Sequence, residues 1–348
     1  MHSLLDNLTK AGKPPLPAAF SDGTHLLALP FGGRLLGLFP PEGGENFLWT
    51  NPALASSELI SAWLKRDGWL NLGGDRTWAA PEIELFIGDL ARPLETYAVP
   101  AALDPGNWTL ASGARNEICL SNETQLQLRQ SHREIGLLLS KCYRQAVNPL
   151  RGTSLVGGEL QYAGYTQNTT LELKLAAEPP IHLGIWNLLQ LPQPGKMLIP
   201  TVSESQPQLV FGSVAAEELM VAPRMVRWRM GGSGSDAKIA LKAASLTGRA
   251  GYIRQTATPG ICDLVVREFG VDPSGVYVDA LWDDPQDTGW VFQACCVRNG
   301  AERFNELEYH ASAAPARVSR DESHVWAYRG PEDSIVAAAQ LLLGQFHF

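Results

Sequence analysis

The chain has 348 residues, of which 45% are apolar, and its 28 basic and 36 acidic residues give a formal charge of -8. This length allows a sizeable core in one large domain or two smaller ones. The negative charge argues against nonspecific nucleic-acid binding, and no basic run with interleaved aromatic residues is present. No apolar run reaches the roughly 18 residues that a membrane span needs, so we predict no transmembrane helix.

The N-terminal segment has no apolar stretch of the signal-peptide kind, so we expect no secretory signal. Residues 1–22 are interpreted as a loose, proline-rich lead-in, and residues 23–348 as a single domain. The five cysteines are an odd number without C-x-x-C spacing, which predicts neither a disulfide framework nor a zinc site. We therefore expect reduced core thiols in a cytoplasmic protein.

Short apolar runs broken by glycine, proline, asparagine and aspartate begin near residue 25. Residues 26–30 and 34–39 are predicted as two strands joined through a glycine pair. Residues 124–130 and 170–175 alternate strictly between apolar and polar side chains, as half-buried strands do. Roughly fifteen or more strand candidates of all kinds along the chain favour a large antiparallel sandwich.

Helices are few in the predicted pattern. Residues 56–65 form a short candidate, and residues 331–343 form a C-terminal one with proline in its first turn and one apolar stripe. Strands and helices do not alternate regularly, which argues against a doubly wound sheet or a TIM barrel. The predicted fold class is therefore all-β, a large antiparallel β-sandwich with a few short helices.

Residues 68–82 combine two adjacent glycines with the charged pair Asp75 and Arg76, flanked by Trp69 and Trp78. Flat apolar rings beside a fixed carboxylate and guanidinium suit a hydroxyl-rich ring such as a sugar. The alternative is a structural turn whose tryptophans are core residues and whose charges form a local ion pair.

The predicted strand 304–310 carries three titratable groups. Its alternation places Glu306, Glu308 and His310 on one face. If they share a pocket, burial and like charge should raise one carboxyl pKa toward a value useful for a general base. The alternative is an ordinary solvated face of an antiparallel sheet.

A histidine and a tryptophan with an even spacing, His182 and Trp186, are predicted to face the same side of another strand. Such a histidine can transfer a proton near neutral pH, or it can simply form a hydrogen bond at a sheet edge. Lys242 is a candidate for binding sugar hydroxyls or a carboxylate. The aspartates within 281–287 could bind calcium, although an acidic turn explains them equally well.

Five segments, in this order, resemble motifs of the galactose mutarotase-like (aldose 1-epimerase) superfamily. They are 32–38 (GGRLLGL), 46–49 (NFLW), 73–76 (GGDR), 182–188 (HLGIWNL) and 306–309 (ELEY). The resemblance implies a large antiparallel β-supersandwich with a sugar cleft on one sheet. The expected partner is a small-molecule carbohydrate.

The resemblance also implies acid–base interconversion of sugar anomers without a metal or organic cofactor. Glu308 matches the family's catalytic base, and His182 is the candidate acid. The residues predicted to bind substrate are Asp75, Arg76, Trp78, Trp186, Lys242, Glu306 and His310.

The GGDR segment replaces the family's usual early His-Gly pair, so Arg76 or His310 could supply the missing polar role. Two other functions remain open at this point. One is a non-catalytic carbohydrate-binding protein in which Trp69, Trp78 and Trp186 stack against a sugar. The other is a carbohydrate lyase or hydrolase that uses Glu306 and Glu308.

Overall fold

Two large antiparallel sheets organise the chain in a computed structural model. The structure describes residues 1–41, 44–111, 116–155, 158–175, 181–232, 234–298, 300, 302–313 and 317–346.

Most of the regular structure consists of strands. In chain order they are β1 (Leu16–Ala19), β2 (His25–Leu29), β3 (Arg34–Phe39), β4 (Asp75–Ala80), β5 (Thr109–Ala111), β6 (Ile118–Gln127), β7 (Glu134–Gln145), β8 (Gln161–Leu175), β9 (Gly184–Pro192), β10 (Gly195–Pro200), β11 (Gln208–Gly212), β12 (Leu219–Ala222), β13 (Met225–Met230), β14 (Ala237–Lys242), β15 (Arg249–Gln255), β16 (Ile261–Phe269), β17 (Trp290–Val297), β18 (Phe304–His310) and β19 (Val318–Pro331). The α-helices are α1 (His2–Lys10), α2 (Ser57–Trp63), α3 (Glu82–Leu85), α4 (Pro93–Thr96) and α5 (Glu332–Leu343).

The first sheet has the strand order β1-β2-β3-β4-β9-β18-β17-β14-β11, and the second has the order β12-β13-β10-β15-β16-β19-β8-β7-β6-β5. Apolar side chains from both sheets meet between them, for example Leu189 and Leu307 of the first with Tyr165 and Val265 of the second. Burial of these facing surfaces is the main stabilising contribution to such a sandwich. The predicted all-β antiparallel fold is therefore confirmed.

The C-terminal helix is also present, close to its predicted bounds. Pro331 precedes α5, Glu332 and Asp333 lie in its first turn, and Gly344 follows its last residue. Its buried residues, which include Ile335 and Leu342, pack against the second sheet in one apolar cluster. None of the described helices is long and apolar enough to cross a membrane.

Residues 1–22 are more ordered than a loose lead-in. They contain α1 and β1, and β1 pairs antiparallel with β2. Leu8 and Phe20 are buried in two apolar clusters. The proline-rich composition predicts a loose segment, but the apolar residues before and after the prolines attach it to the first sheet.

One cysteine pair corrects the expectation that all thiols are reduced. Cys119 and Cys142 form a disulfide across the adjacent strands β6 and β7. Cys262, Cys295 and Cys296 are free and buried. Strand register, which spacing along the sequence does not reveal, brings the two bonded cysteines opposite each other.

The segment between β4 and β5 covers part of the first sheet. The ring of Phe86 packs against those of Trp78 and Trp186, with centroids 4.9 and 5.7 Å apart. Asp104 accepts a hydrogen bond from Trp78 Nε1 at 3.1 Å and pairs with Arg34. These contacts bury side chains on the face of the first sheet that points away from the second.

Candidate functional site

Five strands of the first sheet place polar side chains on one face. Residues directly opposite each other on adjacent antiparallel strands share a face. Arg76 on β4 lies opposite Leu188 on β9, which lies opposite Glu308 on β18. Glu308 lies opposite Gln293 on β17, which lies opposite Ala240 on β14. The buried charged, amide, imidazole and tryptophan side chains of this face include Arg76, Trp78, Trp186, Gln190, Lys238, Gln293, Glu306, Glu308 and His310.

Glu308 lies at the centre of this face. Its Oε2 atom accepts a hydrogen bond from Trp186 Nε1 at 3.0 Å and lies 3.0 Å from Lys238 Nζ. The Lys238 ammonium also lies 4.8 Å from the Trp186 ring centroid. Burial raises the pKa of Glu308 to about 7, and the neighbouring Lys238 only partly opposes that rise. Glu308 can therefore exchange a proton near neutral pH.

Lys238 links Glu308 to a second carboxyl group. Its Nζ atom lies 4.0 Å from Oε1 of Glu82, which is on α3, and Trp282 Nε1 donates to Oε2 of Glu82 at 2.8 Å. Burial lowers the pKa of Lys238, but attraction to Glu308 and Glu82 outweighs it and leaves the pKa above its ordinary value. The lysine is therefore a fixed cation between two carboxyl groups.

Asp279 is the third carboxyl group of the cluster. It accepts hydrogen bonds from the backbone N–H of Glu82 at 2.9 Å and from Gln293 Nε2 at 2.8 Å. Burial raises the pKa of both Asp279 and Glu82. Because burial raises the pKa of all three carboxyl groups, the cluster retains protons at pH values where exposed carboxyl groups have lost them.

His310 is buried and uncharged. Its ring stacks on Trp186 with centroids 5.3 Å apart, and its Nε2 atom lies 3.3 Å from Asp279 Oδ2 without hydrogen-bond alignment. Burial lowers the pKa of His310 to about 3, and the positive charge of Lys238 adds to this effect. The close contact between His310 and Asp279 is therefore not an ion pair at neutral pH.

The neutral state of His310 predicts a loss of stability in acid. Below about pH 6.5 the unfolded chain binds a proton at this histidine and the folded chain does not, so acidification favours unfolding. Relative to His310→Gln, the wild-type free energy of unfolding should fall by up to about 1.4 kcal/mol per pH unit on acidification. Urea denaturation at several pH values measures this difference. His182→Gln, at an exposed position, controls for histidine removal, and parallel curves for wild type and His310→Gln would contradict the prediction.

A second charged pair lies beside Glu308. Arg76 Nη2 is 2.7 Å from Glu306 Oε1, which also accepts from Gln190 Nε2 at 2.9 Å. The guanidinium carbon of Arg76 lies 4.3 Å from the Trp78 ring centroid and 5.3 Å from that of Trp69. Arg76 Nε and Nη1 and Gln190 Oε1 are buried without a hydrogen-bond partner. These atoms are donors and an acceptor that a polar ligand could satisfy.

Asp75 lies on the opposite face of β4 from Arg76, because successive strand residues point to opposite sides. Its carboxylate accepts hydrogen bonds from Arg267 Nη1 at 3.1 Å and from the Tyr165 hydroxyl, between the two sheets. Both Asp75 and Arg267 are 0% exposed. This corrects the expectation that Asp75 and Arg76 act side by side: the carboxylate of Asp75 is a core group.

His182 is not brought to Glu308. It is exposed and precedes β9, which begins at Gly184, so the strand alternation that predicted a shared face with Trp186 does not extend to it. Trp186 does reach Glu308, as described above. The candidate acid from the sequence is therefore remote from the candidate base.

Lys242 also lies away from Glu308, at the end of β14. Its ammonium pairs with Asp287 and lies 4.9 Å from the Trp290 ring centroid. Asp283 and Asp284 are exposed. Among the residues that the structure describes, the groups of three or more metal-ligating side chains do not include these aspartates, so these groups give no support to the calcium hypothesis.

Sequence reasoning named Arg76, Trp78, Trp186, Glu306 and His310 but missed several other residues around Glu308. Lys238 lies four residues before Lys242 on the same strand, and alternation alone could not decide which lysine reaches the site. Asp279 and Trp282 lie outside the strands, and Glu82 begins a one-turn helix after Pro81. No sequence pattern places these residues next to β18.

Three solved structures that are similar to this chain are described as aldose or galactose epimerases or as a homologue of them. A candidate aldose 1-epimerase from Escherichia coli K12 is 10% identical, with 90% of this chain and 99% of that one covered and a TM-score of 0.47. A GalM/aldose epimerase homologue from C. elegans is 12% identical, with 92% and 100% covered and a TM-score of 0.41. A galactose 1-epimerase from Lactobacillus acidophilus is 12% identical, with 91% and 95% covered and a TM-score of 0.40.

At these identities the likeness concerns the fold and not the chemistry. No protein-family model matches this chain, and no curated protein matches it significantly.

Proposed function

We propose that the protein acts on carbohydrates and interconverts the anomers of a free or substituted aldose by general acid–base catalysis. The observation that carries this proposal is the buried carboxyl of Glu308, held by Lys238 and Trp186 with a pKa of about 7. Two of the sequence motifs that resemble the aldose 1-epimerase family, 73–76 and 306–309, contribute the adjacent Arg76–Glu306 pair and Glu308 itself.

The proposed reaction needs one base and one acid. The carboxylate of Glu308 takes the proton of the anomeric hydroxyl, an acid protonates the ring oxygen, and the ring carbon–oxygen bond breaks. The open-chain aldehyde then rotates about its C1–C2 bond, and the reverse steps close the ring as the other anomer. Ring closure returns one proton to the sugar hydroxyl and the other to the acid. Glu82 is the better-placed acid, because burial raises its pKa and it shares Lys238 with Glu308. His182 is exposed and lacks this connection.

The aromatic and amide groups of the site suit a sugar. The rings of Trp78 and Trp186 lie on the same face as unpartnered polar atoms of Arg76, Gln190 and Gln293. Both rings are buried against Phe86, which a bound sugar would have to displace. A pyranose has both C–H faces and hydroxyl edges, so such a mixture can bind it.

Magnetisation-transfer NMR on a panel of neutral, amino and phosphorylated aldoses tests the proposal. We expect exchange between α and β anomers above the spontaneous rate for at least one sugar. Saturable binding without exchange would instead support a carbohydrate-binding protein. Products of new mass would support a lyase or hydrolase, although the engagement of Glu306 with Arg76 and Gln190 makes it a poor second catalytic carboxyl.

The pH dependence of exchange should follow the titration of Glu308. Burial raises the pKa of Glu308 to about 7, and only its unprotonated form can act as base. The enzymatic rate should therefore rise with pH and reach half its plateau near pH 7. The measurement is exchange between about pH 5 and pH 9, with the spontaneous rate subtracted at each value. A rate independent of pH across this interval would exclude Glu308 as the base.

A further inference from the structure

A group of metal-ligating atoms lies on the second sheet, separate from the Glu308 site. Cys119 on β6 lies directly opposite Cys142 on β7, and Glu117 precedes Cys119 by two residues. The two sulfur atoms and one carboxylate oxygen of Glu117 all lie within 4.8 Å of one another. Two sulfur ligands and one oxygen ligand in this arrangement are a donor set for a soft or borderline divalent cation.

The other group of possible ligands in the described residues, Cys295 with Glu306 and Glu308, is less suited to a metal. Arg76 lies 2.7 Å from the Glu306 carboxylate, and Lys238 lies 3.0 Å from that of Glu308. A cation entering there would have to displace two buried positive groups. In the β6–β7 group the two sulfurs are bonded to each other and Glu117 is only half-buried, which makes this group the better candidate.

The sheet would keep the two cysteines together after reduction. β6 and β7 are in register from Ile118 opposite Tyr143 to Gln127 opposite Glu134, and β5 and β8 pair on their outer sides. Opening the disulfide therefore removes one covalent link from a continuous ladder and leaves the cysteine backbones opposed. Such preorganisation lowers the entropic cost of binding a metal between them.

The group is also accessible from solvent on one side. Cys142 and Glu117 are partly exposed, whereas Cys119 is buried. On the other side of Cys119, β5 contributes Ala111 as the directly opposed residue, which has a small side chain. A small thiol can therefore approach the sulfur of Cys142.

We propose that Cys119, Cys142 and Glu117 form a redox-gated site for a soft divalent cation such as Zn²⁺. Two molecules of a low-molecular-weight thiol reduce the disulfide: they are oxidised to one disulfide, and their two protons pass to the protein sulfurs. The cation then binds both thiolates and the Glu117 carboxylate and releases the two thiol protons. The oxidised protein lacks the two thiolates and does not bind, so the redox state decides whether the site is loaded.

Titration of the whole chain with Cd²⁺ alone, followed by the ultraviolet charge-transfer band of cadmium thiolate, tests the proposal. The protein is compared as isolated in the oxidised form and after reduction by a phosphine that is then removed. We expect one Cd²⁺ per chain with the band in the reduced protein, and no band in the oxidised protein. Equal signals in both forms, or no signal in the reduced form, would overturn the proposal.

Variants identify the ligands. Cys119→Ser should abolish the band. Because the loss of even an outer-shell partner costs roughly 10- to 100-fold in metal affinity, Glu117→Gln should weaken binding at least about tenfold. Glu134→Gln, at an exposed position on β7, is the matched control and should bind as wild type does. Wild-type binding by Cys119→Ser would refute the assignment.

A second measurement does not depend on the folding of any variant. Alkylation of the reduced wild-type protein, with the labelled cysteines mapped by mass spectrometry, should show that Zn²⁺ protects Cys119 and Cys142. Cys262, Cys295 and Cys296 are the internal controls, and their labelling should not change with Zn²⁺. Unprotected labelling of Cys142 in the presence of Zn²⁺ would also count against the site.

Discussion

Replacing Glu308 with glutamine is expected to reduce anomer exchange by about 100- to 10,000-fold, the range that a positioned acid or base contributes. Glutamine has nearly the shape of glutamate, and its amide oxygen can still accept the hydrogen bond from Trp186 Nε1. It cannot take up a proton at neutral pH. The chemical role is therefore removed while the packing is largely retained, and NMR exchange measurements on the best sugar report the loss.

The substitution leaves Lys238 without its nearest carboxylate, so its effect on folding must be measured separately. Glu82 remains 4.0 Å from the ammonium and provides a second partner. Circular dichroism and sugar binding by the variant distinguish a lost base from a lost fold. Glu134→Gln serves as the exposed control. Exchange at the wild-type rate in a folded Glu308→Gln variant would exclude Glu308 as base.

Asp75→Asn is expected to lower the free energy of unfolding by about 3–5 kcal/mol, because it leaves the buried guanidinium of Arg267 without its carboxylate. Asparagine keeps an acceptor for the Tyr165 hydroxyl but carries no charge. Urea denaturation monitored by tryptophan fluorescence measures the loss. Because Asp75 lies between the sheets and not beside Glu308, the folded fraction of this variant should exchange sugar anomers normally.

Two further variants make the Asp75 result specific. Asp67→Asn, at an exposed position, should leave the unfolding free energy within about 0.5 kcal/mol of wild type. Adding Arg267→Met to Asp75→Asn should recover part of the lost stability, since the guanidinium that the first substitution leaves unpaired is then removed from the core. A stable Asp75→Asn single variant that has lost exchange would reverse the assignment and return Asp75 to the functional site.

The sequence predicts much of the local structure of the site. The apolar and turn residues predict the all-β class, and the predicted strand 304–310 has the same bounds as β18. Its alternation places Glu306, Glu308 and His310 on one face, as observed. That this face is buried could not be predicted, because α3 and the segment after it cover the sheet from a distant part of the chain.

The rest depends on contacts that no local pattern encodes. Lys238 and Lys242 share a strand, and only the strand order β18-β17-β14 and its register decide that Lys238 reaches Glu308. The disulfide between Cys119 and Cys142 depends on the register of β6 and β7. The sequence pattern places His182 in the same strand as Trp186, but that strand, β9, begins at Gly184. Alternation therefore predicts a shared face that His182 and Trp186 do not have.

Consecutive side chains of β4 serve opposite sides of the first sheet: Asp75 pairs with Arg267 inside the sandwich, and Arg76 pairs with Glu306 on the other side. Inserting a single residue just before Asp75 would reverse that arrangement throughout the strand. Arg76 would then point into the space between the sheets, where Arg267 lies. Asp75 would point to the other side, where Glu306 and Glu308 lie. Insertion of two residues would restore the original sides. The tolerance of this strand to insertions should therefore depend on whether their number is odd or even.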